Sequence, residues 1–164
     1  MVEELNIEKV WELLNKVPDP EIPVLSVVEL GVVRDVYVKE NRAEVTITPT
    51  YSGCPAMKTF SDDIISQLKK NGFEEVIIHT AYNPPWTTDW MSETARTKLK
   101  EYGIAPPQGL AKNSLKLFAK NLPIPCPRCE STDTRRISEF GSTACKSLHQ
   151  CNTCLDTFDY FKCI

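Results

Sequence analysis

Apolar residues in the N-terminal part of the chain recur with the helical period and the strand period in alternation. The first helical stripe ends at PDPEIP, because three prolines so close together cannot continue a helix. The segment VVRDVYVKENRAEVTITPT then alternates apolar and polar positions on either side of a polar turn, which predicts two strands. The first stripe consists of Ile7, Val10, Trp11 and Leu14.

A second helical period runs through CPAMKTFSDDIISQLKKNG, in which Met57, Phe60, Ile64 and Leu68 share one face. The segment FEEVIIHTAY predicts a third strand. A third helix is predicted in TTDWMSETARTKLKEYG, capped by Thr88 or Asp89 and ending before Gly103. The order α-β-β-α-β-α predicts an α+β fold, with a small mixed sheet and packed helices.

The regular pattern stops after residue 108. The following stretch has prolines near both ends and lysines between them, which is typical of a linker. We therefore expect a first domain at residues 1–108, a linker at 109–123 and a small all-β zinc ribbon at 124–164.

The composition is that of a soluble globular protein, with 25% charged residues and a net charge of −3. No apolar run approaches the ~20 residues that cross a bilayer, and the acidic, amphipathic beginning does not resemble a targeting peptide. These features predict a cytoplasmic, reducing location. Residues 124–164 carry five basic and five acidic side chains, which argues against a nucleic-acid surface.

Six of the seven cysteines lie in the C-terminal tail, and four of them form two CxxC pairs. The pairs are separated by 21 residues, and four thiolates suit the tetrahedral coordination of Zn²⁺. A structural zinc site is therefore predicted, although a rubredoxin-like iron site or two redox-active pairs would have the same pattern. The predicted ligands are Cys126, Cys129, Cys151 and Cys154.

The remaining tail cysteines lie in segments that alternate like strands on either side of the second CxxC pair. If that pair forms the hairpin turn, Gln150 lies opposite about Phe158, and Cys145 then lies opposite Cys163. The two thiols could form a second pair that oxidises or binds metal, or they could simply be small buried apolar residues.

Cys54 stands apart, just before Pro55 and the predicted second helix, so it is predicted to be the N-cap of that helix. The positive end of the helix dipole would favour its thiolate there, which suggests a reactive or metal-binding thiol. The alternative is a buried cysteine that caps the helix poorly. Asp19 lies in a proline-fixed loop, where a carboxylate is either a ligand or a solvated turn residue. Trp86 and Trp90 are either core residues or a partner-docking pair.

Two stretches of the sequence resemble known families. DPEIPVLSVVELGVV followed by TPTYSGCPAM resembles the SufT-like domain family, which is linked to iron–sulfur cluster assembly. That family carries a DPE loop and a cysteine in a GCP turn, which Asp19 and Cys54 match, and Thr50 lies at the strand end before the turn. The segment NPPWTTDWMSE and the cysteine-rich tail are similar to the PaaD family, the D components of phenylacetate degradation.

The second resemblance implies association with the phenylacetyl-CoA ring 1,2-epoxidase, a monooxygenase with a di-iron oxygenase and an iron–sulfur reductase. The chain would then be an accessory protein, not an enzyme, that helps to assemble a metal centre in one of those protein clients. Its cofactors would be a structural zinc and a transient iron or iron–sulfur cluster at Cys54, with Asp19 as a hard ligand or proton acceptor. No nucleic acid and no membrane are expected as partners.

Three other functions remain open at this point. A passive adaptor would use the ribbon and the two tryptophans for docking, with an inert Cys54. A nucleic-acid-binding zinc ribbon is disfavoured by the balanced charge. A thiol enzyme would need a base near Cys54, and nothing in the sequence brings His79 or His149 there.

Overall fold

A computed structural model describes residues 5–51, 53–108 and 123–162. The chain divides into two compact units, Met1–Trp86 and Thr87–Ile164, and each is described by itself.

The first unit has two helices and three strands in the order α-β-β-α-β. β1 and β2 are antiparallel, whereas β2 and β3 are parallel, so the predicted mixed sheet is confirmed. Its elements are α1 (Ile7–Leu14), β1 (Val33–Lys39), β2 (Arg42–Ile47), α2 (Ala56–Lys70) and β3 (Glu75–Thr80).

Alternation along β2 sets the two faces of this sheet. Ala43, Val45 and Ile47 are fully buried, while the residues between them are partly exposed.

The buried stripes of the two helices differ from the predicted ones. In α1 the buried residues are Val10, Leu13 and Leu14, whereas Ile7 is 46% exposed. In α2 the buried residues are Ala56, Phe60, Ile64 and Leu68, without Met57.

Trp86 closes the first unit as a core residue. Its side chain is 3% exposed, and its indole N–H donates a hydrogen bond to the Leu30 carbonyl at 3.1 Å. This places Trp86 inside the core rather than on a docking surface. Trp90 belongs to the second unit and is half-buried, so its docking role stays a prediction.

In its described residues, the second unit joins a helix to an antiparallel ribbon of three strands. Its elements are α3 (Glu93–Tyr102), β4 (Thr134–Ser138), β5 (Lys146–Cys151) and β6 (Thr157–Phe161). The Ser92 hydroxyl accepts the N–H of Ala95 and caps α3. The predicted cap at Thr88 or Asp89 is wrong, because those residues form a separate 3-10 turn. The predicted stop at Gly103 is confirmed by its left-handed φ of 92°.

The segment after α3 extends the ribbon sheet beside β6. Ala105 donates its N–H to the Asp159 carbonyl at 2.8 Å, and its carbonyl accepts the N–H of Phe161 at 2.9 Å. Residues 87–108 therefore lie in the same compact unit as the ribbon. The predicted domain limits at 108 and 124 stay a prediction, because nearly all of the predicted linker lies outside the described residues.

The hairpin between β5 and β6 is shifted by one residue from the predicted register. Gln150 lies opposite Thr157, not Phe158, because Cys151 donates its N–H to the Asp156 carbonyl and so closes a turn of four residues, 152–155. Cys145 therefore pairs with Lys162, whose N–H donates to the Cys145 carbonyl at 3.0 Å. Cys163 lies outside the described residues, and the second thiol pair stays a prediction.

We expect Trp86→Phe to lower the free energy of unfolding by about 1–3 kcal/mol, because the Leu30 carbonyl loses this donor in buried surroundings. Urea unfolding would measure the loss. Trp11→Phe is a matched control, since Trp11 is only half-buried in α1, and it should cost less. Equal losses in the two variants would contradict the role given to the indole hydrogen bond.

Candidate functional site

Two similar turns bring the four paired cysteines of the ribbon together. In the first, Glu130 donates its N–H to the Cys126 carbonyl at 2.9 Å, and Cys126 donates its own to the Ser131 carbonyl at 2.9 Å. The residue after each CxxC pair has a left-handed backbone, with φ of 61° at Glu130 and 64° at Leu155. Residues with a side chain are sterically disfavoured at these positive φ values. Each turn therefore holds a strained residue directly beside the sulfur cluster.

The four sulfurs form a compact cluster. They lie within 4.8 Å of one another, with 3.7 Å between Cys126 and Cys154 and 3.5 Å between Cys129 and Cys151. A tetrahedral zinc ion at about 2.3 Å from each ligand sets its sulfurs about 3.8 Å apart. The donor set and the spacing therefore both fit Zn²⁺.

The surroundings shift the pKa values of two of these cysteines, Cys151 and Cys129, in opposite directions. The N–H of Cys154 points at the Cys151 sulfur at 3.5 Å, and this contact lowers the pKa of Cys151 to about 6. At Cys129 the backbone N–H of Ser131 lowers the pKa, but desolvation and the neighbouring sulfurs outweigh it and raise the pKa to about 12. Protons are therefore shared unequally among the thiols, and binding of a cation releases them.

Side chains on both turns support the cluster. The hydroxyls of Ser131 and Thr153 share a hydrogen bond of 2.7 Å, and the Asn152 amide donates to Asp133 at 2.8 Å. Lys100 of α3 forms an ion pair with Glu130. Behind the sulfurs lies a small apolar core that buries the side chains of Ala105, Ile124, Cys126, Cys151 and Phe158.

The first unit holds the other candidate residues. Asp19 is 5% exposed, and its Oδ1 accepts the N–H groups of Glu21 and Ile22, both at 2.7 Å. The carboxylate therefore fixes the DPE loop, rather than being a solvated turn residue.

Cys54 lies one residue before the cap of α2, which is Pro55 and not Cys54 as the sequence predicted. The cysteine is 9% exposed, and its sulfur receives a long hydrogen bond of 4.0 Å from the Thr50 hydroxyl. Gly53 has a φ of 79°, a conformation that a side chain would strain. The structure therefore joins Thr50 and Cys54 through a direct contact, and it places Asp19 in a different loop.

Sequence reasoning missed a buried polar group in the ribbon. Lys146 is 3% exposed, and its Nζ lies 3.9 Å from Asp159, which also accepts the Ser142 hydroxyl at 2.7 Å. Gly141 permits this packing, since a Cβ there would clash with the Asp159 carboxylate. His149 is 7% exposed and hydrogen-bonded to Ser147. The Gly-Ser pair before β5 was the available signal of close packing.

Two family models match separate parts of the chain. Residues 7–76 match the model of an iron-sulfur cluster assembly protein, and residues 111–162 match the PaaD zinc beta ribbon domain. Among the described residues, no helix combines the length and apolar character needed to cross a membrane.

One curated relative matches almost end to end. It is the D component of the putative 1,2-phenylacetyl-CoA epoxidase of Escherichia coli, 47% identical over 96% of this chain and 93% of its own length. The Fe-S protein maturation auxiliary factor YitW of Bacillus subtilis is 35% identical, but it covers 60% of this chain and 97% of its own length. A maturation auxiliary factor of Porphyromonas gingivalis is likewise 35% identical, over 56% of this chain and 89% of its own length.

Two solved structures, like the maturation factors, match a little over half of this chain and most of their own length. A domain of unknown function from Bacillus anthracis is 35% identical, with a TM-score of 0.53, over 56% of this chain and 89% of its own. A conserved hypothetical protein from Thermotoga maritima is 32% identical, with a TM-score of 0.52, over 60% of this chain and 98% of its own. Like the two maturation factors, these proteins match only part of the chain.

We expect the full chain, purified under reducing conditions, to hold about one zinc ion, because its four sulfurs meet the coordination number of a structural site. Cys151→Ala should lose the ion, since it removes one ligand from the centre of the cluster. Cys145→Ala is the matched control, because Cys145 is also buried but lies outside the cluster. Metal analysis would decide, and zinc retained by Cys151→Ala would contradict the assigned ligands.

Proposed function

The chain belongs to the family of phenylacetyl-CoA epoxidase D components, and from that premise we propose that it is an accessory protein of this epoxidase system. It assists the assembly of an iron or iron–sulfur centre in another component, either the oxygenase or the reductase. It does not carry out the ring chemistry itself.

The observation that carries this proposal is the different extent of the matches. The relatives named as maturation factors match only 60% or 56% of the chain, whereas the epoxidase D component matches 96% of it. The iron–sulfur assembly model likewise lies entirely within the first unit. The matches to the maturation factors run over 100 and 94 residues and so extend beyond the 86 residues of the first unit. We therefore assign the maturation activity to the part of the chain before the ribbon, and we assign the ribbon to the part of the function that is particular to the epoxidase.

Cys54 is the residue proposed to receive the iron or the cluster as cargo. It lies in the turn that precedes α2, one residue before the cap of the helix. Thr50 orients this sulfur through its hydroxyl, and Asp19 is the proposed oxygen ligand or proton acceptor. A site with so few fixed ligands releases a metal more readily than a closed cage of four sulfurs.

The zinc proposed for the ribbon has a different role. Cys126, Cys129, Cys151 and Cys154 would bind it with no coordination position left open, which is the arrangement of a structural site. The ion supplies binding free energy that orders both turns. The ribbon would then present a rigid surface to the client while the first unit handles the cargo.

A non-catalytic adaptor is the second candidate, and the burial of Cys54 favours it. Only 9% of this residue is exposed, and Asp19 already uses one oxygen to hold its own loop. In that case both residues maintain the fold of the first unit. The ribbon and Trp90 would then dock the other components.

We expect Cys54→Ser to abolish activation of the client oxygenase, because serine keeps the shape of the side chain but binds iron and sulfide poorly. Thr50→Val should reduce activation by about tenfold, since it removes only the group that orients the sulfur. Oxygenase activity after co-expression of the components with each variant would measure both effects. Circular dichroism and zinc content should remain those of the wild-type chain.

Cys145→Ser is the matched control and should leave activation unchanged, because Cys145 is a buried thiol of the other unit. If Cys54→Ser activates the client normally while Cys151→Ala does not, the adaptor function is favoured. Normal activation by both variants would remove both proposals.

A further inference from the structure

In the part of the chain that the structure describes, the two sheets have four outer edges, and three of them are protected against pairing with another strand. β1 carries a bulge between Val33 and Asp35, and β4 carries one between Arg136 and Ser138. Bulges and charged residues on edge strands prevent further pairing. The edge of β6 is already occupied by Ala105, which forms two backbone hydrogen bonds with it.

The fourth edge, β3, carries an exposed acid at Glu75 but no bulge, and no other backbone segment pairs with it within the described part of the chain. It pairs with β2 in an unbroken parallel register over all six residues, and it is the last strand in the order β1-β2-β3. Within the described part of the chain, no further strand pairs with its outer side. Alternate peptide groups of a terminal strand point away from its neighbour, so β3 offers donors and acceptors to another strand.

The side chains of β3 also suit a paired strand better than a solvated edge. Its centre consists of Val76, Ile77 and Ile78, all β-branched residues that favour strands, and all three are half-buried. Ile77 lies on the same face as Tyr37 and Glu44, the outer face of the sheet, while Val76 and Ile78 lie on the core face. Another strand along this edge would cover apolar surface on both faces.

We propose that β3 is a self-association edge, where two copies of this chain pair their β3 strands antiparallel about a two-fold axis through Ile77. In that register Val76 lies opposite Ile78 of the second copy, and Glu75 lies opposite its His79. An interface of this kind is isologous, so the same strand supplies both halves. The two sheets of three strands then become one continuous sheet of six.

Charge complementarity favours a second copy over an unrelated strand. On the outer face Arg42 contacts Glu44 at 2.8 Å and Glu75 at 3.5 Å, and Glu44 contacts His79 at 2.8 Å. Antiparallel pairing extends this row of acidic and basic side chains across the two-fold axis. The reason is that Glu75 at the start of one strand lies opposite His79 near the end of the other. A carboxylate directly opposite an imidazole can accept its N–H, and complementary pairs of this type stabilise neighbouring strands.

Sedimentation equilibrium of the full-length, metal-loaded chain tests the proposal. We expect a reversible dimer in the wild type and its loss in Ile77→Lys, which places two ammonium groups face to face at the axis. Tyr37→Lys is the matched control, because Tyr37 is 55% exposed on the same face of the opposite edge strand, and it should leave the dimer unchanged.

A charge exchange tests the register itself. His79→Glu places like charges opposite each other twice and should weaken the dimer about tenfold. Adding Glu75→Lys to it should restore association, although both changes disturb the contacts within each chain. A wild-type monomer, a dimer insensitive to Ile77→Lys, or a double variant weaker than His79→Glu alone would each overturn the proposal. A monomer in which Ile77→Lys abolishes only client activation would assign this edge to a client strand instead.

Discussion

The convergence of four sulfurs, two from each turn, is the constraint on which the second unit depends. The apolar core behind them is small, and it includes the side chains of Cys126 and Cys151 themselves. Both turns also hold a residue other than glycine in a left-handed conformation, which costs free energy. A bound cation offsets these costs at the point where they arise, because it links the two turns directly and replaces the repulsion between thiolates with attraction. The ribbon and its proposed zinc are in this sense one structural element.

The first unit is organised differently, with a conventional core and its polar candidates in loops. Val45, Phe60 and Leu68 are fully or almost fully buried in a layer of helices on a sheet, so the core of this unit is built from apolar side chains. Asp19 and Cys54 then lie in loops that this rigid frame supports. A loop can release a ligand at less cost than a strand or a helix, which suits a site whose cargo must leave. Under the proposed function, the two units would separate a retained ion from a transferred one.

Burial of polar groups changes the interpretation of several residues. Asp19 is buried because its carboxylate replaces missing backbone partners in the DPE loop. Lys146 is buried beside Asp159, and Gly141 gives the carboxylate the room that it needs. Such groups cost free energy to desolvate unless they are paired, so their burial reflects specific contacts made across the fold. None of these contacts follows from the hydrophobic pattern along the chain.

The local part of the structure was determined by the sequence alone. The CxxC spacing closes each turn within a few residues, the alternation in β2 sorts its two faces, and Gly103 ends α3 because it adopts a left-handed φ. Tertiary structure decided the features that depend on contacts between segments distant in the sequence. The β5–β6 register follows from the bond between Cys151 and Asp156, Trp86 is a core residue because it reaches Leu30, and Ala105 covers the edge of β6. The physical reason is that spacing along a chain specifies short-range geometry, whereas burial and pairing depend on which other segment arrives, and that is settled only when the whole unit packs.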